Sequence, residues 1–232
     1  LNCALSLPIY MSVIFSLTGD PSLGKVDKAS LSQQTLMELF VQGFTSSSDP
    51  TFLSKVQGND IQSPRDLSEW PGVGRDTEMN VIRVTWTWIG LNGSLLPQWL
   101  PPTIQDLRLY ENYFSCSIDL TRFPDSLVVL MAAANEFSGT IDLTKLPPMM
   151  NHLDLSYNDL EGGIDVRHLP KSMHTLRLNH NSFSGETDFC DLPQNLFMVL
   201  MCNVELSGAL VQEFGQEFRV TGTKIQMTVI NE

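Results

Sequence analysis

One asparagine returns every 23 residues, at Asn112, Asn135, Asn158 and Asn181, and it carries a fixed frame with it. Leu107, Leu130, Leu153 and Leu176 stand five residues before these asparagines, and Leu109, Ala132, Leu155 and Leu178 three before. Phe114, Phe137, Leu160 and Phe183 follow two after. A single unit of this length cannot bury its own apolar side, so the chain must stack coil on coil. Two inward columns result: Val84, Leu107, Leu130, Leu153, Leu176, Val199, and Trp86, Leu109, Ala132, Leu155, Leu178, Met201. Each buried large apolar side chain contributes roughly 1.5–3 kcal/mol. Ala132 is the thin place in its column, which Trp86 is expected to fill in part.

The asparagine has a hydrogen-bonding reason. Where the chain turns after a strand, inward backbone groups lose their strand partner, and an amide side chain carries both a donor and an acceptor. Ile89 and Val204 stand at the two ends of the series, as expected of atypical terminal coils. A second regular segment follows each asparagine. Gly93, Gly139, Gly162, Gly185 and Gly208 align, with Cys116 in one coil, which implies a bend there that also accepts a side chain. Ile118, Ile141 and Ile164 then alternate with Leu120, Leu143 and Val166, the period of a second short strand. Pro101, Pro124, Pro147, Pro170 and Pro193 close the coils.

The frame LxxLxLxxNxFSGxIDLTxLP resembles the leucine-rich repeat family, in particular the branch with an SGxI second strand found in plant receptor ectodomains and in repeat proteins of kinetoplastid protists. Glu69-Trp70-Pro71-Gly72-Val73 is similar to that family's N-terminal cap, CxWxGVxC, with Trp70, Gly72 and Val73 kept. Ser68 or Glu69 and Arg75 stand where the cap cysteines would be. The resemblance implies a mainly β right-handed arc of 23-residue repeats, a helical N-terminal cap and partner binding, without identifying the partner.

The chain divides accordingly. Residues 1–24 form a hydrophobic leader, read as a signal or anchor remnant, since Leu5 to Thr18 are mostly apolar but too few for a membrane span of ~20 residues. Residues 25–80 are a helical cap, with Ser30 and Gln33 as a capping box and Leu31, Leu36, Leu39 and Phe40 on one face before Gly43. A second short helix is expected from Asp49 and Pro50 to Gly58. Residues 81–217 hold five clear coils and a degenerate sixth; 218–232 read as a closing strand or hairpin.

A net charge of −12 argues against nucleic acid, which needs clustered Lys and Arg, and disfavours anionic lipid. A membrane is met only through the N-terminal segment. Period and alternation exclude helical repeat arrays. Cys3, Cys116, Cys190 and Cys202 show no CxxC and no metal spacing, so isolated thiols are expected. Asp119, Asp142, Asp165 and Asp188 make a second 23-residue ladder. One carboxylate per coil cannot supply the six to eight oxygens of calcium, so turn capping is expected. His152, His168, His174 and His180 fall at four different repeat positions, and no catalytic or cofactor motif occurs. The chain reads as a non-enzyme without cofactors.

Function is therefore sought on the exposed side of the leucine strands, where outward residues alternate with buried ones. The columns are Arg83, Asp106, Val129, His152, Thr175, Met198; then Thr85, Arg108, Met131, Asp154, Arg177, Leu200; then Thr87, Tyr110, Ala133, Ser156, Asn179, Cys202. Arg83 is expected to pair with Asp106 and Asp154 with Arg177, while Arg108 has no acid in its own column. Arg83, Arg108, Tyr110, Met131, His152, Asp154, Tyr157, Arg177 and Asn179 are the candidate contacts for a protein or peptide. Met198, Leu200 and Cys202 are expected to be covered by the C-terminal segment. The expected function is non-catalytic binding on the concave face, at a cell surface or outside the cell; a cytoplasmic home is the alternative. Part of a longer receptor or kinase, or an adhesive surface antigen, are the other readings.

Overall fold

The structure, a computed structural model, describes residues 27–48, 51–57, 65–202, 204–213 and 215–230. The apolar leader lies outside the described residues. Among them no helix is long and apolar enough to cross a membrane.

The chain is a leucine-rich repeat solenoid built on two eight-stranded sheets. The first contains the leucine strands: Val81–Thr85, Asp106–Arg108, Val129–Met131, His152–Asp154, Thr175–Arg177, Met198–Leu200 and Glu217–Arg219, all parallel. The second runs along the other side through Asn92–Gly93, Tyr113–Cys116, Glu136–Gly139, Asp159–Gly162, Ser182–Glu186, Glu205–Gln212 and Lys224–Val229. The inward columns between them are buried from Val84 and Trp86 to Val199 and Met201.

Each asparagine joins two coils. Asn135 Nδ2 donates to its own coil at Ala132 O (3.2 Å) and to the preceding coil at Leu109 O (3.0 Å). Its Oδ1 accepts from Phe114 N (3.1 Å), in the second-sheet strand of that preceding coil. Asn112, Asn158 and Asn181 repeat the pattern, accepting from Leu91, Phe137 and Leu160. The bend glycines take positive φ, 80° at Gly139 and 83° at Gly162, and Cys116 takes 68° in their place. The backbone at Cys116 is thus the same left-handed bend, carried by a residue with a side chain.

The N-terminal cap closes both sheets. Val73–Arg75 pairs antiparallel with the first leucine strand, and Phe44–Ser46 antiparallel with Asn92–Gly93, so each parallel array ends at a short antiparallel edge strand. Helix α1 (Gln33–Val41) and helix α2 (Phe52–Gln57) pack with them. The N-cap of α1 is Ser32, which accepts from Thr35 N; the capping box expected at Ser30 and Gln33 does not form. Gln33 instead accepts from Val81 N (2.6 Å) and donates to Asn80 (2.8 Å), fixing the helix to the first coil. Trp86 is surrounded by Phe40, Phe44, Phe52 and Trp70 at 5.5–6.4 Å between ring centres. Trp86 thereby seats the cap on the first coil.

At the other end the closing segment is not a hairpin. Glu217–Arg219 and Lys224–Val229 each extend a sheet in parallel, which makes a further coil. Nineteen residues separate Met198 from its partner Glu217, where 23 separate Thr175 from Met198. The pairing flanks Met198 and Leu200, and Cys202 Sγ donates to Arg219 O. Cys190 and Cys202 are free thiols, but Cys116 is disulfide-bonded, against the expectation of isolated thiols throughout.

Candidate functional site

Successive residues of a strand point to opposite faces, so burying Leu107, Leu130, Leu153 and Leu176 forces their neighbours onto the exposed face of the first sheet. The in-register parallel pairing then places Arg83 beside Asp106, and Arg177 beside Asp154.

Both expected pairs form, but unequally. Asp106, 7% exposed, accepts from Arg83 Nε at 2.9 Å and also from Arg108, through Nε at 2.9 Å and Nη2 at 3.1 Å. Arg108 is therefore held by the acid two residues before it on its own strand, although its column contains none. That hydrogen bond with Asp106 raises the pKa of Arg108 above its ordinary value. Tyr110 and Met131 lie half-buried beside this cluster on the face.

Asp154 is engaged differently. Its Oδ1 accepts from Ser156 N (3.0 Å) and Ser156 Oγ (2.6 Å), and Arg177 Nη1 reaches Oδ2 only at 3.4 Å. Arg177 Nη2 lies 3.3 Å from Met198 Sδ. Arg177 Nε and Asn179 Oδ1 are both buried without a hydrogen-bond partner. Asn179, next in line on the same strand face, is only 9% exposed.

Rings flank this polar centre. After the second to fifth leucine strands the chain enters a left-handed turn, with φ of 57° at Glu111, 52° at Ala134 and 55° at Tyr157 and His180. The last two stack, with ring centres 4.2 Å apart and 15° between planes. At the opposite end of the strands His152 meets His174 edge-on at 5.9 Å, and His174 stacks on Phe197 at 5.3 Å. His174 Nδ1 lies 3.0 Å from Asn195 O. Burial, then the nearby charge of His174, Arg177 and Arg108, holds His152 below the ordinary imidazole range.

The nine candidate residues thus fall into two groups. Arg83, Arg108, Tyr110 and Met131 belong to an N-terminal half whose two arginines both pair with Asp106. His152, Asp154, Arg177 and Asn179, with Tyr157 on the rim, occupy a C-terminal half with polar atoms unmatched. Sequence reading missed His174 and Phe197 as part of this surface. They stand one residue before the strands, in the column Gln105, Val128, Asn151, His174, Phe197, whose growing ring content was the available signal.

The aspartate ladder lies elsewhere, on the second side. Asp119, Asp142, Asp165 and Asp188 accept from the backbone N–H two residues on, at 2.9–3.1 Å. They are turn caps, and among the described residues no group of three His, Cys, Asp or Glu is arranged to hold a metal.

The sequence matches no protein-family model and no curated relative. Solved structures are similar. The crystal structure of a pollen receptor kinase 3 covers 72% of this chain and 88% of its own, at 22% identity and a TM-score of 0.55. The ectodomain of the receptor kinase SOBIR1 from Arabidopsis thaliana covers 78% and 96%, at 21% identity and a TM-score of 0.51. The Arabidopsis receptor kinase HAESA, in complex with the peptide hormone IDA and the co-receptor SERK1, covers 86% and 46%, at 18% identity and a TM-score of 0.55. The chain has the leucine-rich repeat fold of plant receptor kinase ectodomains.

Proposed function

We propose that this chain is a non-catalytic recognition module that binds a protein or peptide across the exposed face of its first sheet, centred on His152, Asp154, Arg177 and Asn179. The observation that supports it is the pair of buried atoms without partners, Arg177 Nε and Asn179 Oδ1. A guanidinium N–H requires an acceptor and an amide oxygen requires a donor; an extended peptide offers both along its backbone. The stacked rings of Tyr157 and His180 at one end of the strands, and of His174 and Phe197 at the other, provide flat apolar contacts. Because strands fix these side chains in columns, little ordering entropy is lost on binding. Arg83, Arg108, Tyr110 and Met131 extend the face toward the cap and form the rim of the contact.

HAESA, which shares the fold, has been seen with a peptide hormone and a co-receptor. A comparable use of this chain would be outside the cell or at its surface, and the shared fold supports that reading. The test is selection of displayed peptides on the immobilised protein. Enriched peptides should lose most of their binding to Arg177→Ala/Asn179→Ala and to Tyr157→Ala, and bind Lys171→Ala normally. Peptides indifferent to all the face substitutions would overturn the proposed location.

A further inference from the structure

A recess of about 550 Å³ lies on the second side of the solenoid, where the fourth, fifth and sixth coils meet. Its origin is one broken column. Ile118, Ile141 and Ile164 occupy equivalent inward positions in three coils, and Thr187 takes that position in the next. Thr187 is 3% exposed, lines the recess, and its Oγ1 has no hydrogen-bond partner. At Gly208, on the wall, the backbone comes so close to Thr187 that only glycine fits: a Cβ would stand 2.2 Å from Thr187 O and 3.1 Å from the Phe189 ring.

The charges around this hydroxyl do not balance. Arg167 is already held by Asp165, with Nε to Oδ1 at 3.0 Å and Nη2 to Oδ2 at 2.7 Å. Glu186 and Asp188 also line the recess, and among the described residues neither forms an ion pair. Two carboxylates and an unpartnered hydroxyl all accept hydrogen bonds from a cationic donor. A bare divalent ion is a poor fit, since hard cations take six or more oxygens and no three metal ligands converge among the described residues. The Phe189 ring and Ile164 supply an apolar wall instead.

We infer that this recess binds a primary ammonium or guanidinium group carried on a short apolar stem. The cation sits against Glu186 and Asp188, donates to Thr187 Oγ1, and lays its stem on Phe189. The group has two possible sources, a free amine or a Lys or Arg side chain of a partner protein.

The test is amide NMR titration of the full chain with agmatine, with n-butylammonium, and with short glycine peptides bearing one Lys or Arg; n-butanol is the neutral control. Saturable shifts confined to 164–167, 186–190 and 208–209 are expected with the cations and not with butanol. Affinity should fall at least tenfold in Thr187→Ile, which restores the residue of the column, and at least fivefold in Glu186→Gln/Asp188→Asn, whose side chains keep their size. Tighter binding of the peptides than of the free amines marks a protein partner; the reverse marks a small molecule. Absence of saturable shifts with every cation overturns the inference, as does undiminished binding by Glu186→Gln/Asp188→Asn, a pair that remains decisive if Thr187→Ile alters the fold.

Discussion

Tyr157 and His180 lie ring over ring on consecutive coils, 4.2 Å apart, each at the left-handed residue that ends its strand. The turn fixes the backbone and the parallel register sets the spacing, so the pair is presented to solvent as one flat surface. Tyr157 remains 56% exposed in spite of the contact.

A double-mutant cycle with Tyr157→Ala and His180→Ala should give a coupling of about 0.5–1.5 kcal/mol in chemical denaturation, the range for a stacked pair. A coupling of zero would mean that the rings are placed by the backbone alone.

The asparagine ladder should be far more sensitive. Asn158→Leu removes hydrogen bonds to Ala132 O and Leu155 O in the core and the acceptor for Phe137 N. A loss of roughly 1–3 kcal/mol for each group left unpaired is expected. Val204→Leu, at the equivalent place two coils on, should cost less than about 1.5 kcal/mol as an apolar exchange. Equal losses in urea unfolding would show that the amide is not the reason for the ladder.

The left-handed turns make an opposite prediction. Ala134 holds φ at 52°, a conformation that costs a residue with a Cβ more than it costs glycine. Ala134→Gly should raise stability by about 0.5–1 kcal/mol after the added freedom of the unfolded chain is counted. Ala132→Gly, in the buried column, should lower it. A lower melting temperature for Ala134→Gly would refute the assignment of strain.

Acid should act through the second ladder. Hydrogen bonds from Thr121, Thr144, Arg167 and Cys190 lower the pKa values of Asp119, Asp142, Asp165 and Asp188 below the ordinary carboxylate value. A lowered native pKa means that the unfolded chain binds protons first. The stabilisation is therefore complete above about pH 4, the unfolded aspartate value, and is lost as pH falls through the lower native values. The melting temperature should drop between about pH 4 and pH 2. A variant with asparagine at all four positions can still accept the turn N–H groups, and its melting temperature should fall less over that range.

The extent to which this molecule could be read from its sequence follows the repeat. Leu153 or Asn158 has equivalents one period away, so its environment is stated several times over in the chain. The Arg83–Asp106 and Asp154–Arg177 pairs were legible for the same reason, because register converts a 23-residue spacing into adjacency. Arg108 has no acid in its own column, as read, but its partner Asp106 was not foreseen because it lies along the same strand and not across it. Gln33 was assigned to a local cap, yet its partners Asn80 and Val81 lie more than forty residues away, a contact no local motif encodes. The sixth coil has Val204 at the asparagine position and is four residues short, which hid the register of the further coil after it.

The direction of the asparagine contacts has a further consequence. Every amide reaches back to complete the coil before it: Asn112 serves Leu91, Asn135 serves Phe114, Asn158 serves Phe137 and Asn181 serves Leu160. Removing one asparagine therefore leaves backbone groups of two coils unpaired, its own and the one before it, so damage at one position spreads toward the N-terminal cap.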